Sequence, residues 1–400
     1  MESSTVSIIT NGFKNNLFAI DFYFEKFGSL AQSEDQSAVE DKNQYFKQCM
    51  DELGIDKTKP KEEQNFSSED VLIFAKKILK APKLSHQNFE ILSRSSFLML
   101  NNYFEYLLAD LLTYYYQKFK ESLNEKNFKI TLKELNEFEN IQEATTSLIL
   151  KEVESMMIDF SFHKLLEHFE NELGIELENQ IINWDKIEEF RERRHLIVHN
   201  SSVVNKKYIV RTNNPYNLKQ GDKVNISIEY FNEAFKEFYL AGLLLCYNCW
   251  GKWDKENADQ ALKDMLNESF DNLKLEKYEL VKRITDYTNK IDARNEEQEN
   301  VLLRAKFNRC IALKKLNNQT DLKKDLKKIK VGTALPLFQL GHAILSEKED
   351  SILPLFKQTK ALEDVDLDKY NEWPLYSFVR EKEDLNEQVL NILKEGDNIN

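Results

Sequence analysis

From position 83 to position 173 the chain contains neither glycine nor proline. These two residues interrupt helices most effectively, and the stretch is rich in Leu, Glu and Lys, which favour them. A segment of this length without breakers predicts a helix-dominated, all-α fold. The rest of the chain agrees, with only ten Gly and six Pro among 400 residues. Hydrophobic residues make up 42% and aromatic residues 12% of the sequence, enough to bury two or three cores without covalent cross-links.

Apolar spacing divides the chain into three regions. Residues 1–82 read as an N-terminal helical segment, with Phe13, Leu17, Ile20, Phe24 and Phe27 at helical intervals. A polar break around Pro60 precedes a short helix starting at Ser68, and Pro82 closes the segment. Residues 83–252 form a second domain, opened by a long helix over 88–118. Its stripe is Phe97, Leu100, Phe104, Leu107, Leu108, Leu111, Leu112 and Tyr115. Helices over 143–158, 160–173 and 185–199 follow, with Gly174 as a stop. Two β-prone pieces, 208–212 and 223–228, flank the turn formers Asn213, Asn214, Pro215 and Gly221 and predict a small β-hairpin. Ser227 then caps a helix over 229–249. Residues 253–400 repeat Leu335-Pro336-Leu337-Phe338 as Leu353-Pro354-Leu355-Phe356 and Trp373-Pro374-Leu375-Tyr376. Proline is tolerated in a first helical turn, so this pattern predicts stacked short helices of the tetratricopeptide-like, helical-hairpin kind.

The formal charge of −13 is unlike that of a general duplex-DNA coat protein. Between positions 191 and 223, however, eight Lys and Arg face only Glu192 and Asp222, a local excess of six positive charges. The four cysteines are too few and too scattered for a disulfide scaffold, and Cys246-x-x-Cys249 reads as two buried thiols in an apolar helix. No charged segment with an apolar block behind it opens the chain, and no apolar run approaches the ~20 residues of a membrane span. The expectation is a soluble, cytoplasmic protein without membrane contact. Phosphate-binding loops, dinucleotide fingerprints and serine nucleophile elbows are missing, which disfavours ATP hydrolysis and cofactor chemistry.

One stretch concentrates chemistry: Arg191-Glu192-Arg193-Arg194-His195-Leu196-Ile197-Val198-His199-Asn200. Histidine titrates near neutrality and can exchange a proton with a ribose hydroxyl, while arginine stays charged and can hold a phosphate. Four residues separate Arg194 from His199, and five separate Arg193 from His199. With the long aromatic helix upstream (Phe104-Glu105) and the polar run Asn200 to Tyr208 downstream, the arrangement resembles the HEPN superfamily over residues ~85–250. That resemblance implies a helical bundle that pairs as a homodimer. It also implies a metal-independent endoribonuclease working through 2′-hydroxyl attack, in a bacterial toxin or anti-phage defence setting. Arg194 and His199 would be catalytic. Arg191, Arg193, His195, Asn200, Lys206, Lys207 and Tyr208 would bind RNA or support the site. No cofactor or metal is called for. The partner is RNA, with a tRNA loop as one candidate, and the C-terminal helices offer a surface for an inhibitor or partner protein.

Two other readings stay open. His195 and His199 lie four residues apart and could ligate zinc, although Leu196 stands where a metalloprotease has glutamate. The histidines could instead cap a helix end while the arginines form surface ion pairs, leaving a non-catalytic HEPN-like RNA-binding or interaction scaffold. Geometry adds a tension. Five residues along a continuous helix place Arg194 and His199 about 140° apart, so either the helix frays or two chains share a cleft. The Tyr114-Tyr115-Tyr116 run reads as helix packing or, alternatively, as a base-stacking platform.

Overall fold

The computed structural model describes residues 5–52, 67–80, 87–123, 131, 134, 137–332 and 335–394. Among these the chain is all-helical, with seventeen α-helices and no strand. Pro60 and Pro82 lie outside the described residues.

The chain divides into two compact units, neither of them continuous in sequence. One comprises Gly12–Tyr106 and Asp185–Phe238, and the other Met1–Asn11, Leu107–Trp184 and Tyr239–Asn400. Helix α1 (Thr5–Glu52) is far longer than the local apolar spacing suggests. It buries Phe13, Leu17 and Phe24 but leaves Phe27 exposed. Helix α2 (Ser68–Lys80) follows, and α3 (Asn88–Lys118) has the expected limits. The α3 stripe from Phe97 to Leu112 is fully buried. The start of α3 is fixed by a distant residue: both carboxylate oxygens of Asp35 accept its first amides, from Asn88 at 3.0 Å and Phe89 at 2.9 Å. This satisfies two of the four donors that a helix start leaves unpaired.

Helix α4 (Ile141–Asp159) is capped by Asn140, whose side chain accepts from Glu143 N. Helix α5 (Phe162–Glu167) continues into a single π turn, His168–Glu172, and ends at Gly174, whose φ of 67° explains the glycine there. Helix α6 (Trp184–His199) carries the Arg/His stretch.

The expected hairpin is replaced by helix. Residues Lys206–Arg211 form α7, with the Asn205 side chain accepting from Tyr208 N at 2.9 Å. The β-branched run has strand propensity, but a strong cap and the burial of Tyr208 override it. What remains of the hairpin is one antiparallel bridge, Val203 to Lys223, with flanking bonds Val204 N to Asp222 O and Val224 N to Ser202 O at 2.8 Å each. Helix α8 (Ile228–Trp253) opens on Ser227, whose hydroxyl accepts from Tyr230 N.

In the Gly12–Tyr106/Asp185–Phe238 unit the core is aromatic. Phe24 stacks on Phe231 at 3.8 Å, Phe190 meets Phe97 edge-on, and Phe238 packs against both Phe104 and Phe190. In the other unit, α9 (Ala258–Lys274), α10 (Tyr278–Thr288), α11 (Glu296–Lys315), α12 (Gln319–Lys328), α13 (Pro336–Leu345), α14 (Glu349–Ala361), α15 (Leu367–Glu372), α16 (Ser377–Arg380) and α17 (Glu383–Lys394) share a continuous apolar core. Sequence neighbours pack on one another, α10 on α11 and α13 on α14. The proline repeat does not mark equivalent positions. Pro336 begins α13 and Pro374 a short 3-10 turn, but Pro354 lies inside α14. Glu349 and Asp350 start that helix earlier by favouring its positive end.

No described helix is long and apolar enough to cross a membrane. All four cysteines are buried thiols, and burial pushes Cys249 well above its ordinary range.

Candidate functional site

Helix α6 presents its residues to two different environments. Glu189 and Arg193, four apart on one face, are both buried. Arg193 Nε donates to Glu189 Oε1 at 2.8 Å, and the Tyr208 hydroxyl donates to the same oxygen. The Tyr230 hydroxyl donates to Glu189 Oε2 at 2.6 Å. The Arg193 guanidinium also lies over the Tyr230 ring at 4.0 Å and the Tyr216 ring at 4.8 Å. Burial opposes the arginine's charge, but Tyr230 and Glu189 outweigh it and raise its pKa. Burial, then Glu189, pushes the Tyr208 hydroxyl up as well. A buried ion pair of this kind is sustained only when the remaining polar atoms are satisfied, as the tyrosines do here.

Arg191 and Arg194 share a second carboxylate. Arg191 Nη1 is 3.0 Å from Glu105 Oε1, and Arg194 Nη2 is 3.9 Å from Glu105 Oε2. Arg191 is the more deeply placed, and burial lowers its pKa while Glu105 opposes the shift. Arg194 is partly exposed, its side chain at 31%. The distance to Glu105 makes this a loose contact that leaves its guanidinium available to a second anion.

The last turn of α6 carries the imidazoles. The rings of His195 and His199 are 4.8 Å apart and inclined by 49°. His199 is exposed and His195 partly so. Burial lowers the pKa of His195, and the positive charge of Lys207 adds to the effect, as do His199 and Arg194, against the pull of Glu192. Lys206 and Lys207 are exposed on the first turn of α7. Arg211, at its end, pairs with Glu192 at 2.6 Å.

Helix α6 runs unbroken through His199. Ser201 and Ser202 then adopt left-handed conformations, φ 51° and 63°, and Ser202 N reaches back to Leu196 O at 3.0 Å. Asn200 is turned inward on Val203: Val203 N donates to Asn200 O, and the Asn200 amide donates to Val203 O.

Of the residues expected at the site, Arg194, His195, His199, Lys206 and Lys207 stand at or near the surface around the end of α6. Arg193 and Tyr208 are sealed in the Glu189 cluster, Arg191 is held by Glu105, and Asn200 shapes the turn. Sequence reasoning assigned no role to Glu189, Tyr230 or Tyr216. The four-residue interval from Glu189 to Arg193 was the available signal. Glu105 was visible in the upstream helix but not its double pairing. No group of three or more His, Cys, Asp or Glu among the described residues could hold a metal ion, so the His195/His199 pair has no third ligand there. The Tyr114-Tyr115-Tyr116 run of α3 is engaged in packing. Tyr116 bonds His168 at 2.9 Å, and Tyr114 and Tyr115 lie against Trp253.

No family model matches the chain, and no curated protein or solved structure matches it either.

Proposed function

We propose that this chain is a metal-independent endoribonuclease with a HEPN-like helical domain and a tetratricopeptide-like C-terminal array. The observation that carries the reading is the grouping around His195: a depressed-pKa imidazole whose field includes Arg194, His199 and Lys207. His199 moves the proton, at the attacking 2′-oxygen or the departing 5′-oxygen. Arg194 holds the phosphate as negative charge grows on it. Lys206 and Lys207 meet the flanking backbone. RNA supplies its own nucleophile, so the products carry a 2′,3′-cyclic phosphate and DNA is spared. The unbroken course of α6 keeps Arg194 and His199 on different faces, which favours a homodimer in which two copies of α6 complete one cleft. A toxin or anti-phage role, a tRNA target and recruitment of an inhibitor by the C-terminal helices follow from the resemblance alone.

The test is incubation of purified protein with total RNA in EDTA. Cleavage leaving cyclic phosphate ends, lost in His199→Ala, supports the reading. Cleavage that needs added zinc points to the two-histidine metal alternative. A second reading, a non-catalytic RNA-binding scaffold, draws on the Arg194–Glu105 contact. It is favoured if RNA binds the wild type and is never cut.

A further inference from the structure

The unit that includes Tyr239–Asn400 holds a pocket of about 430 Å³, open to solvent on one side, among α9, α11, α13 and the 364–376 segment. That volume lies in the range of small-molecule sites. Five aromatic rings line it: Phe270, Phe307, Phe338, Trp373 and Tyr376. Phe307 and Phe338 stack at 5.7 Å and 22°, while Trp373 meets Tyr376 edge-on at 5.2 Å. Gly341 makes room for this wall, since a Cβ there would come within 3.0 Å of Phe307 Cε1. Tyr376 is fully buried, and its hydroxyl has no hydrogen-bond partner among the described residues.

The charges at the cavity differ in availability. Lys369 is occupied by Asp366 and by the carbonyls of Glu363 and Asp364. Arg304 and Glu372 also line the cavity, are exposed, and have no ion-pair partner among the described residues. An aromatic wall bordered by one cation, Arg304, and two carboxylates without an ion-pair partner among the described residues, Glu372 and Asp364, is complementary to a small molecule with a planar side chain, one carboxylate and one ammonium. We propose that this cavity binds a free aromatic amino acid, its ring among the five aromatic residues, its carboxylate on Arg304 and its ammonium on Glu372. Rings gain from edge and offset contacts with other rings beyond simple burial, and charge-assisted bonds fix the polar end. The site is independent of the nuclease reading.

Calorimetry on the full chain tests it with three probes: L-phenylalanine, phenethylamine, which lacks the carboxylate, and 3-phenylpropionate, which lacks the ammonium. Phenylalanine is expected to bind at least about tenfold more tightly than either, the worth of one charge-assisted bond. Arg304→Gln should erase the advantage over phenethylamine, and Glu372→Gln the advantage over 3-phenylpropionate. Both side chains are exposed, so neither change threatens the fold, and an unchanged melting temperature confirms that. Phenylalanine should also alter the tryptophan fluorescence of the wild type, with the response lost in Trp373→Phe. No heat from any probe at millimolar concentration overturns the proposal. So does equal affinity for all three, or phenylalanine binding indifferent to Arg304→Gln.

Discussion

Arg193 and Arg194 are consecutive on one helix and carry the same charge, but they live in different media. Arg193 is enclosed by Glu189, Tyr208, Tyr216 and Tyr230, with its carboxylate partner 2.8 Å away. Arg194 lies at the boundary with water, 3.9 Å from a carboxylate that Arg191 holds more closely. A rotation of 100° along the helix separates the two. The first charge is spent on holding α6, α7 and the start of α8 together within their unit. The second is partly exposed, with only the 3.9 Å contact to Glu105 as an ion pair. A count of arginines in the motif cannot make this distinction, because it depends on which face of α6 is buried.

The comparison can be broken most sharply at His199. His199→Ala should lower RNA cleavage by about 10²–10⁴-fold, the usual range for a lost proton-transfer group, and leave the melting temperature unchanged because the side chain is exposed. A variant that unfolds would place His199 with Arg193 among the structural residues. Glu189→Ala is the converse experiment. It strands Arg193 in the interior, and denaturant titration should show a stability loss of about 3–5 kcal/mol. A loss under ~1 kcal/mol, the scale of an exposed pair, would mean that water reaches the cluster. Arg194→Ala should reduce turnover by about 10²–10³-fold, as for one missing donor to transition-state charge, with an unaltered circular dichroism spectrum. Tyr208→Phe, which takes one donor from the buried carboxylate, should cost about 1.5–3 kcal/mol of stability and leave cleavage intact.

The smallest effect concerns pH. The folded-state pKa of His195 lies below the ~6.5 of an unfolded histidine. As pH falls through 6.5 the unfolded chain takes up the proton first, so this residue's contribution to stability declines from there down to its folded pKa and is complete above 6.5. Lys207→Ala removes one cause of the depression and should flatten that decline, read as melting temperature against pH between 5 and 7.5. An identical profile in the variant would assign the shift to burial and to His199 and Arg194 rather than to Lys207.

Much of the fold is legible in the sequence because the signals are local. The α3 limits follow from an apolar stripe, Gly174 from its need for positive φ, and the start of α8 from Ser227. The failures share another cause. Residues 208–210 are aromatic or β-branched, but the helix they share with Lys206, Lys207 and Arg211 depends on the Asn205 cap and on the Tyr208 hydroxyl reaching Glu189, nineteen positions earlier. Pro354 follows the sequence rule for a first turn, and the acidic pair at 349–350 moves the helix start away from it. The arginine and histidine types were readable in order. Their division into enclosed and accessible groups required Glu105, which lies 89 positions from Arg194 in sequence and against it in space.

The single bridge between Val203 and Lys223 has a consequence of its own. It closes the basic segment into a loop fastened at both ends, with α7 inside it. A free tail bearing Lys206 and Lys207 would lose most of its conformational freedom on meeting a polyanion, and that loss would subtract from affinity. Here the freedom is surrendered during folding. Cutting the fastening, for example with Val224→Pro, which removes the amide that donates to Ser202 O, would leave every charge in place and change the entropy of association rather than the electrostatics.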